Sequence, residues 1–275
     1  MNNFITIRKT DTMSKILFPT DFSEKSKKAL SFAQYLSARL GSELVLFHSS
    51  MDVAEKTVAQ VKLNSLVEQL KASNPTDSKS TYSSLNVDGL PVAQVTEQMS
   101  VSDYKMLVIP TTGDHRDDFH GIYLKSNTSA VMENITKPVL FYPEQTSVKE
   151  ITNVLIAVDV LNYSKDILLD LLSYIHLFNA NVKFVYASIS SADKVTEAIT
   201  LFNSFLSKEM PGAKLEVVMT ESFAMSIDEV IKEKSVDLLI MTKFKQHFWE
   251  KWFMKSATED MAYVASIPVL VLTAQ

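Results

Sequence analysis

The sequence predicts an α/β protein made of two tandem doubly wound units, each with a five-strand, mostly parallel sheet. Three observations lead there. The first is an internal repeat: KILFPTDFSEKSKKAL (15–30) aligns with NVLIAVDVLNYSKDIL (153–168) at an offset of 138, placing Asp21 on Asp159. The second is rhythm, since short apolar runs rich in β-branched residues alternate with stretches of helical period, an order that implies parallel strands. The third is composition: 275 residues, 46% hydrophobic and 21% charged, supply enough apolar material for two ordinary cores.

Taken in order, ILFP (16–19) is the first buried strand. Residues 23–40 follow as a helix, with Ala29, Leu30, Phe32, Ala33, Leu36 and Leu40 on one face of period 3.6. Ser23 is suited to its N-cap, and Gly41 to the left-handed position that ends it. ELVLF (43–47) is the second strand, 52–72 the second helix, TYSSLNV (81–87) a weaker strand, 90–100 a short helix and MLVIP (106–110) the fourth strand. A fourth helix is expected over 127–136, capped by Ser126, and Pro138 opens the last strand, PVLFY.

The second unit restates this. Asn179, which tolerates the left-handed conformation, stands where Gly41 does, and VKFVYAS (182–188) matches LVLFHSS (44–50). LLIMT (238–242) matches MLVIP at an offset of 132, and KSATEDMAYVASIPVLVLT (255–273) matches KSNTSAVMENITKPVLFYP (125–143) at 130. Ser256 and Glu259 have capping-box spacing. The junction falls near 144–150, giving units 1–146 and 147–275.

Several function classes are excluded. The chain has 5 glycines and no GxxxxGK[ST] or GxGxxG, which argues against a P-loop kinase and a dinucleotide dehydrogenase. A net charge of −5 and a pI of about 5.6 argue against a nucleic-acid partner. Without cysteine there is no disulfide, Cys-zinc site, thiol catalysis or iron–sulfur cluster. The apolar runs LLIM, PVLVL and VLIAV are far short of the roughly 20 residues of a membrane span. MNNFITIRKTDT has no apolar h-region, and MSKILFPTDFS from Met13 looks like a start, so residues 1–12 read as an extension or an upstream start. The expectation is a cytoplasmic protein with no membrane partner.

Ligands of doubly wound sheets bind beyond the carboxyl ends of the strands, where strand order reverses. Those ends carry Pro19, Thr20 and Asp21, then His48 and Ser49, then the loop after Pro110. ILFPTDFSEKSKKAL, a helix ending in Gly41, ELVLFHSS, a fourth strand and KSNTSAV…KPVLFYP together resemble the universal stress protein family, over nearly all of 14–275 as two copies. The resemblance implies Rossmann-like domains. It also implies, for many members, ATP held by an Asp after the first strand and a G-x2-G-x9-G-[ST] loop after the fourth. It further implies pairing of fifth strands between domains, here PVLFY against PVLVL within one chain, as an intramolecular pseudo-dimer.

Carried over residue by residue, the implied nucleotide site of the first unit comprises Pro19, Thr20, Asp21, Gly113, Lys125, Ser126 and Asn127. Its loop reads Pro110-x2-Gly113, then eleven residues, then Lys125-Ser126, so one glycine of three remains. In the second unit the spacing holds as Thr242-x2-Lys245-x9-Lys255-Ser256, with every glycine replaced. Side chains then stand where phosphate oxygens should meet bare backbone N–H groups. Lys125 and Lys255 before helix starts could hold an anion, or they are solvated beside plain serine caps.

Asp114, His115, Asp117, Asp118 and His120 could ligate a divalent metal or describe a solvated acidic loop, and unbridged they repel a triphosphate. The matching loop 243–255 holds four lysines and both tryptophans, with Phe248, Trp249, Trp252 and Phe253 as one helical stripe, which favours packing or a partner contact. His48 reads as a packed strand-end residue, while Glu55 and Glu68 lie along solvent faces and form no acid/base pair. No catalytic constellation emerges. The expectation is a non-enzymatic binding or regulatory protein of the stress response with degenerate nucleotide loops and no cofactor, with a protein partner or homodimer. The alternative is ATP binding, with slow hydrolysis, in the first unit alone.

Overall fold

In a computed structural model of the chain, the described residues are 14–73, 79–101, 103–111, 134–146, 150–161, 163, 165–188, 193–219, 223–243 and 266–273. The first half runs β1 (Lys15–Pro19), α1 (Glu24–Leu40), β2 (Glu43–Ser50), α2 (Val53–Ala72), β3 (Thr81–Asp88), α3 (Pro91–Val101), β4 (Tyr104–Thr111) and β5 (Val139–Pro143). The second runs β6 (Asn153–Ala157), α4 (Lys165–Phe178), β7 (Asn181–Ser188), α5 (Asp193–Glu209), β8 (Leu215–Met219), α6 (Phe223–Lys234), β9 (Leu238–Lys243) and β10 (Val269–Thr273).

The ten strands form one sheet in the order β3-β2-β1-β4-β5-β10-β9-β6-β7-β8. Every neighbouring pair is parallel except β5 and β10, which run antiparallel with Phe141 opposite Val269, Leu140 opposite Leu270 and Val139 opposite Val271. Strand order therefore reverses twice, between β1 and β4 and between β6 and β9. Side chains alternate across the sheet, so each strand feeds two cores. Ile16 and Phe18 join the layer containing α1, α2, α4 and α5, while Leu17 joins the layer containing α3 and α6.

The repeat extends to individual hydrogen bonds. Glu43 N donates to Ser14 O at 2.9 Å, and Asn181 N to Thr152 O at 2.8 Å. Thr20 N donates to Phe47 O at 2.9 Å, and Val158 N to Val185 O at 3.0 Å. Leu107 N and Leu239 N donate to Pro138 O and Pro268 O, both at 3.0 Å. Gly41 (φ 58) and Asn179 (φ 52) end their helices in the same left-handed conformation.

Some boundaries differ from the expectation. Asp52 stands outside its helix as a cap, as Ser23 does at the position expected of it: each has extended ψ of 165, and each side chain accepts a backbone N–H three residues on, from Glu55 and Ser26. β2 continues through His48, Ser49 and Ser50 because Asn86, Val87 and Asp88 of β3 pair with them. The third helix is Pro91–Val101, and of the helix expected over 127–136 only 134–136 are described, with Asn134 alone helical. Ser126, Ser256 and Glu259 lie outside the described residues.

Candidate functional site

The polypeptide leaves β1 at the first reversal of strand order, where Pro19, Thr20 and Asp21 come together. Pro19 is buried and pairs with Phe47. Thr20 is 1% exposed, and all its polar atoms are engaged. Its N–H donates to Phe47 O, its carbonyl accepts from His48 Nδ1 at 2.8 Å, and its Oγ1 accepts from Phe22 N at 3.0 Å. Asp21 Oδ1 accepts from Ser23 N at 2.9 Å and from Ser26 Oγ at 2.6 Å, so this carboxylate organises the start of α1. Two consecutive side chains thus hold the next two backbone N–H groups, and Phe22 between them takes φ 66, a left-handed backbone uncommon for an aromatic residue.

Phe22 is positioned by more than its own backbone. Its ring lies 4.8 Å from the His48 imidazole, and the Lys62 ammonium sits 5.2 Å from its centroid. Because a carbonyl only accepts, the bond to Thr20 O puts a proton on His48 Nδ1. Nε2 then faces Glu55 Oε1 at 3.8 Å. Glu55 in turn accepts from Met51 N at 2.8 Å through Oε2. At the mouth of the reversal, Lys25 Nζ lies 3.7 Å from Glu144, and Glu144 N donates to Thr111 O at 2.9 Å, tying the start of α1 to the ends of β4 and β5.

Sequence reading placed Pro19, Thr20 and Asp21 correctly at one strand end and placed His48 as a packed strand-end residue. It missed Phe22 and Lys62, and it assigned Glu55 to a solvent face alone. The available signal was the Asp52-x-x-Glu55 spacing, which turns a Glu at the third helical position back toward the preceding strand end. Gly113, Lys125, Ser126 and Asn127 lie outside the described residues, as do the loops 114–120 and 244–255. Among the described residues no three His, Cys, Asp or Glu side chains come together as a metal site.

The second half repeats the frame with different contents. Asp159 Oδ1 accepts from Leu161 N at 3.0 Å, just as Asp21 does from Ser23. Thr20, Phe22 and His48, however, are replaced by Val158, Val160 and Tyr186, which are 4%, 2% and 8% exposed and belong to the hydrophobic core. Tyr163, at the position of Lys25, packs edge-on against Phe202 at 5.0 Å. At the ends of β1 and β2 the first half thus carries Thr20 and His48, bonded to one another, where the second carries the core residues Val158 and Tyr186.

Residues 13–143 match the model of the universal stress protein family. Among solved structures, the chain is similar to a universal stress protein from Archaeoglobus fulgidus, at 17% identity and a TM-score of 0.71, over 94% of this chain and 96% of that one. It is also similar to a protein of unknown function from Pseudomonas aeruginosa, at 16% identity and a TM-score of 0.65, over 95% and 93%. The cytoplasmic domain of a prokaryotic cation chloride cotransporter aligns at 11% identity and a TM-score of 0.59, over 94% and 95%. At these identities the likeness is one of fold. No curated protein sequence matches the chain.

Proposed function

We propose that the chain, whose residues 13–143 match the universal stress protein family, serves the stress response as a binding protein without catalysis. In this reading residues 1–146 and 147–275 are two family domains, joined through β5 and β10 as a pseudo-dimer, and any small-ligand site is confined to the first. The observation that carries it is the asymmetry of the two strand-order reversals. Val158 lacks the hydroxyl of Thr20 and the buried Tyr186 replaces the His48 imidazole, so the second half offers a polar ligand fewer groups at its strand ends. In the first half both described bonds to the Asp21 carboxylate fall on Oδ1 and serve the start of α1. The loss of two loop glycines of three in the first copy and of all three in the second supports the same reading.

A second reading, ATP held in the first half by Pro19, Thr20 and Asp21 with Gly113, Lys125, Ser126 and Asn127, is favoured by the buried polar cluster of Thr20 and His48. Calorimetric titration with ATP, with and without Mg²⁺, separates the two. The expected outcome is no binding in the micromolar range. Micromolar affinity that is lost in Asp21→Ala and kept in Asp159→Ala, with both variants folded by circular dichroism, would establish the second reading instead.

A further inference from the structure

We propose that the outer face of α2 is a self-association surface, on which α2 of a second copy packs antiparallel. α2 lies against β2 and β3 and buries Ala59, Leu63, Val67 and Leu70. Its opposite side is apolar as well: Val53, Val58 and Val61 are 81%, 55% and 67% exposed, and Ala54, Thr57 and Ser65 are exposed among them. Val53, Thr57, Val61 and Ser65 recur at intervals of four and form one row, with Ala54 and Val58 as a second row beside it. A helix that is apolar on opposite sides is one that is covered on both.

The polar groups of the segment are engaged within the protein. Thr57 Oγ1 donates to Val53 O at 3.0 Å, and Ser65 Oγ accepts from Gln69 Nε2 at 3.3 Å, so both hydroxyls are held by their own helix. The charged residues between Val53 and Ser65 are Glu55, Lys56 and Lys62, and each has a partner on the body of the protein. Glu55 faces His48 and holds Met51 N, Lys56 bonds Asp88 at 2.6 Å, and Lys62 lies over the Phe22 ring. The fold does not require such a face, because the second half is built without it. On α5 the side opposite buried Val195, Phe202 and Leu206 carries Glu197, Thr200, Ser204 and Lys208, with Leu201 at its margin.

Charge and size select the occupant. The chain has a net charge of −5, so copies repel one another in general, and an uncharged stripe is where two of them can touch. The stripe presents no ionic group by which a partner of other chemistry would be chosen, whereas a two-fold contact needs only a face that fits itself. Antiparallel packing also opposes the two helix dipoles. About a two-fold axis between Val58 and Val61, Val58 of each copy meets Val61 of the other, and rows spaced by four interdigitate at a crossing angle of about −50°. From Val53 to Ser65 the stripe is about 18 Å long. Two such stripes make a small, reversible interface of less than about 1,200 Å².

Sedimentation velocity of the full chain, from micromolar to submillimolar concentration, tests this. A dimer that grows with concentration is expected, lost in Val58→Glu and lost in Val61→Lys, with both variants folded by circular dichroism. Mixing these two variants should restore a dimer that neither forms alone, because the new carboxylate of one meets the new ammonium of the other. Leu201→Glu on α5 should leave self-association unchanged. In the unmodified chain the methyl resonances of Val53, Val58 and Val61 should shift with concentration, a readout that does not depend on any variant folding. A chain that stays monomeric throughout, a dimer that survives both α2 variants, a mixture that stays monomeric, or a monomer that takes up a foreign apolar helix or a lipid vesicle on α2 would overturn the proposal.

Discussion

Tyr104 shows how one residue at the foot of the sheet responds to its surroundings. It is 5% exposed at the start of β4, and burial followed by the nearby Glu43 carboxylate pushes its phenol up to about 12 from an ordinary 10.0. The folded state thus holds this proton more tightly than the unfolded chain, so its contribution to stability is complete below the ordinary value and is lost as pH rises from 10.0 to about 12. Denaturation midpoints followed through that window should fall, and Tyr104→Phe should shallow the fall. Buried Tyr142 is raised in the same direction and leaves part of the slope. At this scale the sequence was legible where chemistry is local, as in the cap at Ser23, while the turn that Asp21 holds emerged only in the structure. Phe22 against His48 was not legible, because residues 26 positions apart meet only once β1 and β2 pair.

Elements were legible to the extent that their ends are set by their own side chains. Gly41 and Asn179 are the clearest case, two residue types able to take positive φ at matching helix ends. Apart from its own stretch of backbone, nothing lies within 4 Å of where a side chain at Gly41 would begin, so a substitution there meets only its backbone conformation. Gly41→Ala should cost about 1 kcal/mol by urea denaturation. Gly41→Asn should cost clearly less, since the second half uses that solution itself. Strand ends were less legible because pairing decides them. His48, Ser49 and Ser50 look like the start of a loop by composition, yet three partners on β3 keep them in the ladder.

Across the whole molecule, the two halves share both hydrophobic layers as well as one sheet. Tyr35 of α1 stacks on Phe178 of α4 at 6.5 Å, packs with Phe32 at 5.7 Å, and accepts the backbone N–H of Ile151 at 3.1 Å. Tyr35→Phe keeps the ring and removes that acceptor. It should cost about 1 kcal/mol and speed exchange of the Ile151 amide; an unchanged amide would mean that the bond contributes nothing to holding the halves. The sequence showed the repeat plainly, since 138 residues separate the first two corresponding strands and their corresponding bonds, and 132 and 130 the later ones. It did not show that α1 and α4 meet, because that contact depends on the register in which Leu140 faces Leu270.

That antiparallel seam joins strands of one polypeptide, so its two sides are present in fixed proportion and dilution does not separate them. A seam between identical chains would force whatever changed on one side to change on the other. Here a mutation falls on one side only. Thr20 and His48 could persist in one half while Val158 and Tyr186 closed the other, and every molecule made would carry one of each.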